Sequence, residues 1–147
     1  NMKLHNTPMP VLLGLSHRLV VKKFKELIES LDLELTFDQF MVLMPIWKLD
    51  GISQQQIVEG CGKDKTSVTR IITTLENKNY VLRIKDLNDT RLNHIYLTKF
   101  GKQTVEKVIP VMRQTRNYIK KDINENDYNI ARSVIIQLIE KLDPNNG

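Results

Sequence analysis

The stretch SQQQIVEGCGKDKTSVTRIITTLE, from Ser53 to Glu76, constrains the fold more than any other part of this chain. Ser53 followed three residues later by Gln56 is the signature of a capping box, so a helix starts there. Gly60 and Gly62 are expected to arrest it after Ile57 and Val58. Asp64 then reads as the N-cap of a second helix, in which Val68, Ile71, Ile72 and Leu75 recur at the spacing of a face packed on a core. Two helices joined by a tight turn within about 25 residues have the layout of a helix-turn-helix.

The other face of the second helix is unusual. At 100° per residue, Thr66, Arg70, Thr73 and Asn77 fall opposite the apolar stripe, with Thr69 and Thr74 on its flanks. Threonine is a mediocre helix former, and a merely solvated face would favour Glu, Lys, Gln or Ala. A helix entering the major groove of DNA rewards this set. Arginine pairs bidentately with guanine, Thr and Ser bond bases or phosphates, and a threonine methyl touches the thymine methyl. The bland reading is a solvated face that tolerates threonine.

The sequence beyond this stretch supports groove reading. VLRIKD and LNHIYLT are rich in β-branched and aromatic residues, and LNDTR between them reads as a turn, so a two-stranded hairpin is expected. Its tip carries Asp89 and Arg91; an arginine there can reach the minor groove or phosphates, and Asp89 can hold its direction. From Gly60 to Arg91 the basic residues Lys63, Lys65, Arg70, Lys78, Arg83, Lys85 and Arg91 outnumber Asp64, Glu76, Asp86 and Asp89. Helix, helix and basic hairpin together predict a winged helix-turn-helix.

Long amphipathic helices flank it. Leu12, Leu15, Leu19, Val20, Phe24, Leu27, Ile28 and Leu31 mark one from about Val11 to Leu31, after an irregular start at Pro8 and Pro10. Thr36 and Gln39 form a further capping box, opening a helix with Pro45 inside it. Thr98 is expected to cap a helix running to about Lys121, with Pro110 inside it, and Asn124 to start a last one carrying Ile130 to Leu142. The fold class is therefore mainly α with a small β-hairpin wing, in a single domain of residues 1–147, with no internal repeat or linker. Asn1 ahead of Met2 reads as a cloning remnant.

Composition narrows the partner. Twenty-two Lys and Arg against 17 Asp and Glu give a net charge of +5, which favours an anionic partner modestly. No apolar run approaches a membrane span and no secretory signal pattern is present, so no membrane partner is expected. One cysteine precludes an internal disulfide and fits a reducing cytoplasm.

The runs LTFDQFMVL, SQQQIVEGCGKDKTSVTRIITTLENKNYV and DTRLNHIYLT resemble the MarR (multiple antibiotic resistance regulator) family of bacterial transcription regulators. The resemblance is close from about Leu35 to Gly101; DKTSVTRIITTLE and the Asp89-x-Arg91 pair followed by Leu97-Thr98 are its most specific parts. It implies a homodimer on a roughly palindromic double-stranded DNA operator. In that arrangement, residues of about 11–31 and 98–142 dimerise and about 35–97 form the winged helix-turn-helix. Apolar stripes at both chain ends, Leu12 to Leu31 and Ile130 to Leu142, exceed what a small winged helix could cover. The same resemblance implies that Thr66, Thr69 and Arg70 read bases; Thr73, on the same outward face, is a further DNA-binding candidate. It likewise implies that Arg91 enters the minor groove, where Asp89 can hold its direction, and that Ser53, Gln54, Lys65 and Ser67 touch phosphates. Members are most often repressors, and many release DNA when a small aromatic or lipophilic effector binds. Met41, Met44 and Trp47, with His17 as a polar group, are the candidate pocket; the bland reading of Met and Trp at helical spacing is plain core. Gly60, Cys61 and Pro45 depart from the family pattern.

Other chemistries find little footing. Cys61, between two glycines, reads as a small core filler under the recognition helix, against the alternative of a thiol redox sensor. His5, His17 and His94 are scattered, without metal-ligand spacing, so no metal or cofactor is expected. There is no GxSxG, Gly-rich phosphate loop or Cys/His pairing, which speaks against an enzyme. A winged helix used only for protein interaction is the remaining alternative; it usually lacks a basic wing or has an apolar outward helix face, and this chain has neither feature.

Overall fold

A computed structural model of the chain describes residues 4–143, which form two compact units dividing between Pro110 and Val111. Asn1 and Met2 lie outside the described residues. After a short 3-10 turn at Leu4–Asn6, helix α1 spans Met9–Ser30. Pro10 therefore lies within its first turn, where a missing N–H costs nothing, rather than in an irregular lead-in. Helix α2 spans Phe37–Lys48 behind a complete capping box: Gln39 N–H donates to Thr36 Oγ1, and Thr36 N–H to Gln39 Oε1, each at 3.1 Å. Pro45 lies inside α2, and the helix nevertheless continues to Lys48.

Strand β1 is Ile52–Ser53, and helix α3 follows at Gln54–Cys61. Ser53 and Gln56 make the second capping box, with bonds of 3.2 and 3.1 Å. Gly60 is part of α3 and does not arrest it; Gly62 does, at φ 65°, a left-handed conformation that glycine adopts without the Cβ penalty. Helix α4, Lys65–Asn77, starts at Asp64, whose carboxylate accepts the Ser67 N–H at 2.9 Å.

Strands β2 (Val81–Lys85) and β3 (Asn93–Leu97) form the expected hairpin, with Val81 opposite Leu97 and Ile84 opposite His94. The sheet has a third strand that the sequence reading omitted. β1 pairs with the other edge of β3, Ile52 opposite Ile95, giving the order β1-β3-β2. Two residues are too few to display alternation, and Ser53 also serves as a helix cap. Thr98 joins sheet to helix: its hydroxyl donates to Asn79 C=O at 2.6 Å and accepts the Gly101 N–H at 2.9 Å. Helix α5 then runs through Lys99–Lys120 and α6 through Glu125–Leu142, the latter capped by Asn124 Oδ1 on the Asn126 N–H at 2.9 Å.

The core of the first unit takes Phe24 and Ile28 from α1, Val42, Leu43 and Ile46 from α2, and Ile57 from α3. Val68, Ile72 and Leu75 of α4, Ile95 of β3, and Val105 and Val108 of α5 complete it. The apolar stripe of the recognition helix is thus clamped inward, at about 1.5–3 kcal/mol per fully buried side chain. The terminal helices contrast with this. α6 buries no side chain, and Ile130, Val134, Ile135, Ile136, Ile139 and Leu142 are all exposed; α1 leaves Val11 and Leu19 exposed.

Candidate nucleic-acid interface

Helix α4 presents Lys65, Thr66, Arg70 and Thr73 to solvent, while Ser67 and Thr69 are half-buried. The Arg70 guanidinium has no hydrogen-bond or ion-pair partner among the described residues, and it stays free to meet an anion or a base edge. Geometry also explains the threonines. Thr69, Thr73 and Thr74 donate their hydroxyl protons to the carbonyls one turn back, Lys65, Thr69 and Arg70, at 2.8, 2.9 and 3.0 Å. Each hydroxyl is thereby satisfied on its own helix, leaving a lone pair and a methyl available.

Two of those lone pairs are used to hold the helix. Gln54 Nε2 donates to Thr69 Oγ1 at 2.7 Å from the start of α3, and an Arg83 terminal nitrogen donates to Thr73 Oγ1 at 3.2 Å from β2. The recognition helix is therefore gripped from both sides by side chains at its outward shoulders. Sequence reasoning gave Gln54 a phosphate contact and counted Arg83 only as charge. The signal for Arg83 was its place on a strand next to the helix, but a strand's period does not reveal which neighbour a long side chain reaches. Arg83 Nε is buried and meets no acceptor among the described residues.

At the start of α4, Ser67 donates its hydroxyl to Asp64 Oδ2 at 2.6 Å, and these bonds from Ser67 hold the Asp64 carboxyl below its usual pKa. An anion already covers that helix terminus, so a phosphate meets Ser67 only by displacing the cap. The start of α3 is different. Ser53, Gln54, Lys65 and Arg91 line one cleft of about 240 Å³ between α3, α4 and the wing, bringing four expected DNA contacts together.

In the wing, Arg91 is clasped by Asp89. Its Nε and a terminal nitrogen donate to the two carboxylate oxygens at 2.9 Å each, and its backbone N–H adds a third bond at 3.0 Å. The pairing holds the Asp89 carboxyl below its usual range. Asp89 thus fixes the direction of a cation whose side chain is 88% exposed.

Of the expected pocket residues, Met41 and Met44 lie at one recess of about 350 Å³, lined also by Pro45, Lys48 and Ile52 but not by Trp47 or His17. His17 is exposed on α1 with its ring edge against Phe37, 5.9 Å between centroids. A larger hollow of about 590 Å³ lies elsewhere, lined by Phe24, Ile28, Leu35, Phe37, Lys25 and Lys78. Cys61 is not core filler either: it ends α3 half-buried, with Sγ 3.9 Å from Val58 C=O. Ile57, a turn earlier, takes the buried position. Among the described residues, no helix is long and apolar enough to cross a membrane.

Comparison with known proteins agrees with this architecture. The MarR family model matches residues 35–92. The uncharacterised HTH-type transcriptional regulator YybA of Bacillus subtilis is 31% identical over 87 residues, 59% of this chain and 55% of YybA, so the chain spans about half that relative's length. The organic hydroperoxide resistance transcriptional regulator of the same organism is 25% identical over 146 residues, covering 99% of this chain and 96% of that protein. The crystal structure of the S. aureus MepR–DNA complex matches the fold with a TM-score of 0.83 at 19% identity, over 94% of this chain and all of that one. Both B. subtilis relatives are named as transcriptional regulators. The likeness to the MarR family thus covers the winged helix-turn-helix, where the family model matches.

Proposed function

We propose that this chain is a sequence-specific, double-stranded DNA-binding transcription regulator of the cytoplasm, acting as a homodimer on a two-fold symmetric operator. The observation that carries the reading is the outward ridge of Thr66, Arg70 and Thr73, exposed beside a wing arginine already aimed by Asp89. The MepR–DNA complex, in which a protein of this fold is bound to DNA, supports it. A homodimer is supported by the apolar side chains that α1 and α6 each leave exposed. Repression, relieved by a small lipophilic effector, belongs to the same proposal; the Phe24–Phe37 hollow with Lys25 and Lys78 has the chemistry to take an apolar anion.

Arg70 supplies the test. On a duplex selected by the parent protein from a random-sequence pool, Arg70→Ala should bind with a smaller ratio between selected and scrambled sequence. One lost bidentate pair is worth about 1–3 kcal/mol of discrimination per half-site. An unchanged ratio in competition titrations would remove Arg70 from base reading.

A further inference from the structure

His94 occupies a position that the DNA contacts do not use, yet it is bonded at both ends. Its Nδ1 lies 3.0 Å from Gly51 C=O and its Nε2 lies 2.8 Å from Asp86 Oδ2. Both partners only accept. A neutral imidazole has one N–H and one lone pair, and whichever nitrogen lacked the proton would point a lone pair at an oxygen. The doubly protonated ring satisfies both contacts. The Asp86 carboxylate does more than receive this bond: its Oδ1 accepts the N–H of Asn88 at 2.7 Å and of Asp89 at 2.9 Å. A continuous path therefore runs from the α2–β1 turn through His94 and Asp86 to Asp89, and from Asp89 to Arg91.

We propose that His94, as the imidazolium, is a positioning residue for the wing, anchoring Asp86 so that Asp89 presents Arg91 to DNA, and that operator binding weakens when this ring loses its proton. The inference rests on the DNA-binding reading above. The bond to Asp86, and then the one to Gly51, raise the His94 pKa above the usual histidine value. The bond from His94, followed by those from Asp89 and Asn88, lowers Asp86 to about 2. Because the folded value of His94 is raised, its contribution is complete below the ordinary histidine pKa of about 6.5 and disappears as pH rises through the folded value. Asp86 sets the acid limit: its contribution is present above the ordinary carboxylate value and is lost as pH falls toward about 2.

The neighbouring charged groups have partners of their own. Asp50, beside Gly51, pairs with Lys102 at 3.6 Å, and Asp89 pairs with Arg91. Lys85 on β2 stands opposite Asn93 in the register, and the Tyr96 phenol lies against Gly51. Asp86 is left as the carboxylate in direct contact with the ring.

Two measurements on the full chain decide this. NMR titration of the imidazole resonances reads the His94 pKa directly, with His94→Gln identifying its signal. Fluorescence anisotropy on the duplex selected by the parent then gives affinity between about pH 6 and about pH 8.5 at fixed salt. His94 should titrate above its ordinary value, and the parent should lose about fivefold in affinity across that range. His94→Gln should bind weakly with a flat profile, and adding it to Arg91→Ala should change nothing further, because its effect passes through Arg91. The proposal fails if His94 titrates at or below the ordinary value, if His94→Gln keeps the parental pH profile, or if its effect persists without Arg91. A parent that selects no duplex while His94 titrates high overturns the DNA-binding reading and, with it, the role claimed for this ring.

Discussion

Arg91→Ala isolates the wing's electrostatic share of binding. Its side chain is 88% exposed and its guanidinium is clasped by Asp89, so removing it takes away a cation without opening the core. A dimer has two wings, and each neutralised phosphate contributes about 0.9 to the slope of log affinity against log salt, so the slope should become shallower by up to about 1.8. Over a fourfold rise in salt that difference amounts to about twelvefold in affinity. The figure is a ceiling, because Asp89 already takes up part of the cation's field. Asp89→Asn is the companion variant: it keeps the cation but loosens its direction, so the slope should be at least parental while preference for the selected duplex falls. Anisotropy titrations at four or five salt concentrations are sufficient. If Arg91→Ala gives a line parallel to the parent's, the wing arginine does not meet the phosphate field and its assignment is wrong.

Two further outcomes test the architecture. A methyl added at Gly101 would land on the Tyr80 carbonyl oxygen and within 3.3 Å of Leu97 Cδ2. Gly101→Ala should therefore cost at least about 1–3 kcal/mol, read from denaturant or thermal melts, and an unchanged melt would refute the close approach of α5 to the residue preceding β2. Ile139→Glu places a charge on the exposed apolar face of α6 and should shift the sedimenting species from dimer to monomer. A variant that stays dimeric would take that face out of the interface.

Local chemistry explains what was legible in the chain. The starts of α2, α3 and α4 were readable because Thr36, Ser53 and Asp64 cap through side chains three residues away, a relation contained in the sequence itself. The inward stripe of Val68, Ile72 and Leu75 was readable because a helix repeats every 3.6 residues. Contacts between distant segments were not. Nothing local pairs Gln54 with Thr69, brings Arg83 to Thr73, or sets His94 against Gly51. The same limit applies to the candidate pocket, since a Met and Trp pattern on one helix does not reveal which neighbour closes over it. Cys61 was misplaced because α3 continues through Gly60, carrying the thiol to a half-exposed last turn. Its two flanking glycines suggested a bend there, but only Gly62 makes one.

Selection of duplexes from a random pool by the purified chain tests the central claim most directly, because it requires the exposed ridge, the aimed wing and the pairing of two copies together. The account predicts an enriched two-fold symmetric motif whose half-sites lie about one helical turn, about 10 base pairs, apart. A pool that never enriches, or one that converges on a single asymmetric half-site, would contradict it.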